Sequence, residues 1–177
     1  MIETERLIVR PWQEADRAPF AAMNQDEEVR RHLGPPQSRA ESDAAIDRMI
    51  ACQAEHGCCF WAVERRDDGA FFGFCGIKPG HWPIEGLPEI GWRLGRAAWG
   101  QGYAREAAQA CLAWAWAARD WPHVYAITTP ANRASWGLML RLGMARLAEG
   151  DFDHPDVPED SPLRPHITYR IARPGGA

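Results

Sequence analysis

Gly100 and Gly102 flank Gln101 and lead directly into Tyr103-Ala104-Arg105-Glu106, a segment of helical composition. A helix start presents unpaired N–H groups and a partial positive charge, and glycine lets an anion come close to the backbone, so the pair suits a phosphate. It suits equally a plain tight turn in which Gly100 takes a positive φ. Glu89 opens the apolar segment Glu89-Ile90-Gly91-Trp92-Arg93-Leu94 that runs into this loop. A carboxylate there is a candidate proton acceptor. Further on, Asn132 and Ser135 stand three residues apart, so on a helix they face the same way.

Other chemistries match poorly. A nucleotide P-loop needs GxxxxGK[ST], and no such Lys-Ser/Thr pair occurs; a dinucleotide fingerprint needs a third glycine that Gly100-Gln101-Gly102-Tyr103-Ala104-Arg105 lacks. The six histidines show no HxxxH or HxE spacing, so no metal site is expected. The acids between Glu149 and Asp160 lack the glycine and terminal glutamate of a calcium loop. They read as a solvated loop, or as a negative rim attractive to a cationic amine. The five cysteines form no CxxC pair and have no local histidine partner, which fits reduced, mostly buried thiols in a cytoplasmic protein rather than a covalent mechanism.

A chain of 177 residues with 46% hydrophobic and 25% charged residues is sized for one domain, 1–177, with a core over about 5–172. The formal net charge of −4 gives nucleic acid nothing to bind. The segment MIETERLIVRPW does not read as a signal peptide, and the longest apolar run, Ala110 to Ala118, is too short to span a membrane.

The elements that must position these residues follow from periodicity and punctuation. Strands are expected at Arg6–Arg10, Cys59–Arg65, Phe71–Ile77, residues 89–95, Val124–Thr129 and His166–Ile171. Asp67-Asp68-Gly69 marks a hairpin turn. Helices are expected after Asp16, from Ser38 or Ser42, over about 101–119 with the small-sided stripe Ala104, Ala107, Ala108, Cys111, Ala115 and Ala118, and over 133–142 with Asn132 as cap and Gly143 as stop. Hairpins mixed with a β-α-β crossover predict an α+β fold: one twisted, mixed, mostly antiparallel sheet with helices on both faces.

Trp99-Gly100-Gln101-Gly102-Tyr103-Ala104 resembles the pyrophosphate loop of the GNAT superfamily of N-acetyltransferases, with Trp99 where Gln or Arg usually stands. Thr4-Glu5-Arg6-Leu7-Ile8-Val9-Arg10-Pro11, and Asn132-x-x-Ser135 followed by Leu142-Gly143-Met144, resemble the ribosomal-protein N-terminal acetyltransferase branch of that superfamily. The resemblance covers nearly the whole chain. It implies acetyl-CoA as acyl donor, with its diphosphate on the N–H groups of Gly100 to Ala104. It implies a fourth strand splayed from the fifth, pantetheine paired with the backbone of Trp92, Arg93 and Leu94, and one of those N–H groups polarising the thioester. It implies Glu89 as base or water-positioner, with Glu85 a lesser candidate. Asn132 and Ser135 become CoA ligands, Ser135 also a candidate proton donor. Arg105 and Arg133 are candidates for the 3′-phosphate, and His81 and Trp82 border the acceptor cleft. The tyrosine many members use as acid is replaced by Met139, which keeps a non-catalytic acyl-CoA sensor as the alternative. The acceptor is then an amine, a protein N-terminus or a small molecule, attacking directly, with no nucleic acid or membrane partner; self-association into a homodimer is left open.

Overall fold

In the computed structural model, which describes every residue except Trp82, Gly176 and Ala177, the chain runs through β1 (Ile2–Glu3), β2 (Leu7–Arg10), α1 (Arg17–Gln25), α2 (Glu27–Arg30), α3 (Arg39–His56), β3 (Phe60–Arg65), β4 (Phe71–Pro79) and β5 (Pro88–Leu94). It continues through α4 (Tyr103–Ala118), β6 (His123–Thr128), α5 (Arg133–Arg141), β7 (Ala145–Asp153) and β8 (Pro165–Ala172). The strands form one sheet in the order β1-β2-β3-β4-β5-β6-β8-β7. Every neighbouring pair is antiparallel except β5–β6, which is parallel. The mixed, mostly antiparallel sheet is therefore as the sequence predicts.

Local chemistry explains the boundaries. Ser38 starts α3 with a reciprocal cap: its hydroxyl accepts from Glu41 N, and the Glu41 carboxylate accepts from Ser38 N. Gly57 closes α3 at φ +68. The hairpin between β3 and β4 turns at Asp67-Asp68-Gly69, with Gly69 at φ +70. Asp16 does not cap α1 with its side chain. Its carboxylate binds the Arg10 guanidinium through two bonds of 2.8 and 2.9 Å and accepts from Gln13 N. A buried cation outcompetes a helix end for that carboxylate, because Glu64 reaches only the Arg10 Nε, at 2.7 Å, and breaking the buried pair with Asp16 would cost about 3–5 kcal/mol.

A bulge at Gly73 (φ +129) sets the two faces of the sheet. Phe71 and Phe74 meet Phe20 of α1 on one side, whereas Phe72 meets Tyr103 of α4 on the other. A Cβ at position 73 would lie 2.1 Å from the Arg93 carbonyl oxygen, so only glycine fits there. Helix α4 lies close on its face through Ala107, Ala108, Cys111, Leu112 and Ala115, all buried; Ala118, expected in that stripe, is exposed near the helix end.

Three expectations need correction. Helix α4 begins at Tyr103 rather than 101, because the positive φ of Gly102 excludes it from the helix. A separate turn of helix, α2, capped by Asp26, follows α1. The acidic segment is not all loop: Glu149, Asp151 and Asp153 belong to β7, an edge strand with an irregular register between Leu147 and Phe152. An edge strand tolerates acids because half of its polar groups and side chains face water.

Candidate active site

The glycine loop is built to leave its N–H groups free. After a short 3-10 turn at Arg96–Ala98, Trp99 Nε1 donates to Leu94 O at 2.7 Å and turns the chain. Gly100 and Gly102 then both take positive φ, +71 and +84. A Cβ at Gly100 would meet nothing within 4 Å, so that side of the loop is open. Gly102 stands at the N-terminus of the 16-residue α4, where the first-turn N–H groups have no helical partner.

Arg6 braces this loop from the N-terminal segment. Its Nη1 donates to Gln101 O at 3.0 Å, its Nε to Glu106 at 2.7 Å, and its guanidinium lies 4.4 Å from the centre of the Tyr103 ring. Thr4 Oγ1 and Arg6 N donate to the same Glu106 carboxylate. These contacts tie Thr4 and Arg6, two residues of the resembling N-terminal motif, to the loop through a partner, Glu106, that the sequence reading did not single out.

Beside the loop the sheet opens. Strands β5 and β6 pair at one position, Glu89 with Tyr125, and then part. On its other side β5 is laddered to β4 along its whole length. The edge of β5 facing the gap therefore has its outward N–H and C=O groups from Gly91 to Leu94 beyond the reach of β6.

A cleft of about 680 Å³ joins these features. Its walls include Trp92, Arg93, Leu94, Trp99, Gly100, Gly102, Tyr103 and Ala104, together with Asn132, Ser135, Arg105 and Arg141. Gln101 is not among them: its side chain turns back to Ala97 O at 2.7 Å, leaving only its backbone in the loop. Arg133 is exposed and outside the cleft walls. Asn132 caps α5, its Oδ1 accepting from Ser135 N at 3.3 Å, and so faces the cleft with Ser135. Met139 is buried in the core.

Glu89 sits where β5 and β6 separate, outside the cleft walls. Its carboxylate is 3.0 Å from Lys78 Nζ, and both side chains are mostly buried. Lys78 also lies over the Phe60 ring, which stacks on Phe74. Glu85 and His81 are exposed in the β4–β5 loop; Trp82 lies outside the described residues.

Sequence reasoning missed a second cavity of about 700 Å³ beside β7 and β8, lined by Trp136, Arg146, Phe152 and His166 among others. The His154 ring centre lies 5.0 Å from that of His166, which lines this cavity. Burial pushes the His166 imidazole down from its usual range. The cysteines are free; Cys58, Cys59, Cys75 and Cys111 are buried, and burial pushes the Cys58 and Cys59 thiols up, away from the reactive thiolate.

The family model for the acetyltransferase (GNAT) domain matches residues 6–145. The chain is 29% identical to the uncharacterized protein YkkB of Bacillus subtilis over 142 residues, 80% of this chain and 83% of that one. A solved acetyltransferase from Agrobacterium tumefaciens superposes with a TM-score of 0.78 at 26% identity, over 96% of this chain and 92% of the other. RimL, a ribosomal alpha-N-protein acetyltransferase solved with coenzyme A, superposes with a TM-score of 0.77 at 14% identity, over 96% of this chain and 95% of its own. An open sheet with a parted parallel pair, a glycine loop at a helix start and this match over most of the chain lead to one conclusion: the protein belongs to the GNAT acetyltransferase family, whose acyl donor is acetyl-CoA.

Proposed function

We propose that the protein is an acetyl-CoA-dependent N-acetyltransferase that moves the acetyl group directly to a primary amine, of a protein N-terminus or of a small molecule. The observation that carries this reading is the single cleft in which the parted edge of β5, the positive-φ glycine loop and the Asn132–Ser135 face converge.

The residues present fit the donor. Gly100 to Ala104 offer N–H groups and the positive end of α4 to a diphosphate. The free edge of Trp92–Leu94 offers strand-like pairing to the amide arm. Asn132 and Ser135 offer polar side chains from the opposite wall. Acetyl-CoA, when bound, supplies an activated carbonyl and a thiolate leaving group.

The chain's own groups then do three things. A backbone N–H of β5 donates to the carbonyl oxygen as charge develops on it; losing one such donor typically costs about 3–4 kcal/mol of barrier. Glu89 takes the amine proton, directly or through water, at the point where the strands part. Ser135 holds the donor by hydrogen bonding and leaves the thiolate to solvent, since a serine hydroxyl is a weak acid.

Thermal denaturation with and without acetyl-CoA, followed by CoA release with a panel of amines, tests this. Donor at a hundredfold over its dissociation constant adds about 2.7 kcal/mol, a rise of about 5–10 °C for a chain this size. Steady CoA release with an amine supports the enzyme reading. Tight donor binding with no turnover on any amine would replace it with that of a sensor.

A further inference from the structure

Arg93 is a half-buried cation with no carboxylate partner among the described residues. Its Nη1 donates to Asn24 Oδ1 at 2.8 Å, and its guanidinium carbon lies 5.2 Å from the centre of the Phe74 ring. Its Nε is buried with no acceptor. Asn24 cannot neutralise it: the amide is uncharged, and its Nδ2 is already bonded to Ser42 Oγ at 2.6 Å. Arg10, Arg17 and Arg65 by contrast each reach a carboxylate within 2.8 Å. The nearest charge that Arg93 feels is another cation, Arg30, itself buried and bonded to the carbonyls of Leu33 and Pro35. Burial, and then Arg30, pull the Arg93 pKa down to about 10, so the group is still a cation at neutral pH. A buried charge with an unmet donor is unfavourable, and proteins keep such groups where something else completes them.

Its position says what that is. Side chains alternate along a strand, so Glu89, Gly91 and Arg93 share the face of β5 packed by α1. Arg93 also lines the cleft beside Trp92, with His32 and Leu33 opposite. Four residues separate Glu89 from Arg93, about 13 Å along the strand. An amine that loses its proton at Glu89 and reaches along this face meets the guanidinium.

We infer that Arg93 is a specificity-determining residue of the acceptor site, and that its guanidinium, which no carboxylate of the described residues completes, receives a carboxylate carried by the amine substrate. This rests on the acetyltransferase reading above. A carboxylate accepts side-on from two guanidinium N–H groups, the geometry that lysine cannot reproduce. The acceptor class narrows to amines that also bear a carboxylate, such as amino acids or short peptides, and excludes polyamines. The overall negative charge and the acidic segment do not oppose this, because recognition is local to a desolvated cation.

Matched acceptors test it by CoA release: glycine, β-alanine, 4-aminobutyrate and 6-aminohexanoate, each against its own amide, with spermidine as a carboxylate-free amine. The acid of at least one pair should exceed its amide by about tenfold or more in kcat/KM, mainly through KM, as expected for a charged hydrogen bond. Arg93→Met should erase that preference, and Arg93→Lys should keep part of it. The wild-type comparison needs no variant and stands even where Arg93→Met does not fold. Equal use of acids and amides, efficient use of spermidine, or a preference that survives Arg93→Met overturns the assignment and leaves the acetyltransferase intact. Donor binding without turnover of any amine overturns the enzyme reading itself.

Discussion

Lys78 Nζ lies 3.0 Å from a Glu89 carboxylate oxygen, across the β4–β5 ladder at the point where β5 and β6 begin to part. The pair holds the carboxylate in place, with the ammonium also bonded to Pro79 O at 3.1 Å. A mostly buried ion pair is costly to break from one side, because the remaining charge has no solvent to replace its partner. Glu89→Gln should lower kcat by about a hundredfold to ten-thousandfold if Glu89 is the base, with acetyl-CoA affinity unchanged. Lys78→Met and Glu89→Gln should each destabilise the fold, and the double variant should cost less than their sum by about 0.5–3 kcal/mol, measured by urea denaturation. Additive costs would mean that the two groups do not support each other.

Gly102 combines a φ of +84 with a place at the start of α4. Gly102→Val asks a β-branched residue to adopt a left-handed conformation, at a cost of about 1–2 kcal/mol. The strain should rotate the N–H groups of the loop, so acetyl-CoA affinity should fall along with stability. Calorimetric titration and thermal melts check the two together. Lost stability with unchanged affinity would make Gly102 a turn residue and nothing more.

The strands and long helices were legible because their signals are local. Apolar runs marked β3, β4, β6 and β8, and Asn132 and one of Ser38 and Ser42 announced their helices as caps do; the structure makes it Ser38. What stayed hidden depends on contacts far apart in sequence. Asp16 looked like a cap until the fold brought the buried Arg10 to it. The acids of β7 read as loop because an edge strand needs only one neighbour, here β8, and its pattern of burial is weak. The loop glycines could be named from type and spacing and Glu89 with the help of the family resemblance, whereas Lys78, Glu106 and the unmet Nε of Arg93 acquire meaning only from partners, or the lack of one, that the fold supplies.

Glu106 gives a pH test of the loop brace. Burial alone would push its carboxyl up, but hydrogen bonds from Thr4, the Arg6 backbone and the Arg6 guanidinium outweigh that and hold it below its ordinary value of 4.5. A carboxyl depressed in the folded state stabilises fully above its ordinary value and loses that contribution as pH falls through the folded value. Unfolding free energy should therefore drop as the pH falls below the ordinary value of 4.5 in the wild type, and this part of the slope should flatten in Glu106→Gln. The same variant should cost about 2 kcal/mol at neutral pH, the scale of hydrogen bonds to a charged group. Since Arg6 also holds Gln101 O, acetyl-CoA affinity should fall with it; unchanged affinity would separate the brace from the donor site.

Ser135 and Asn132 share one face but should fail differently. Asn132→Ala removes a cap worth about 1 kcal/mol of stability, visible in a melt without any ligand. Among the described residues Ser135 Oγ has no hydrogen-bond partner, so Ser135→Ala should leave the fold unchanged. If the hydroxyl only holds the donor, its loss should weaken acetyl-CoA binding by about threefold to tenfold, the size of one neutral hydrogen bond, and leave kcat nearly intact. If it protonates the departing thiolate, kcat should instead fall by about a hundredfold or more while donor binding barely changes. The first outcome is expected: the residue seven positions after Asn132 is a buried methionine, Met139, which cannot donate a proton, and a CoA thiolate is stable enough to leave without a protein acid.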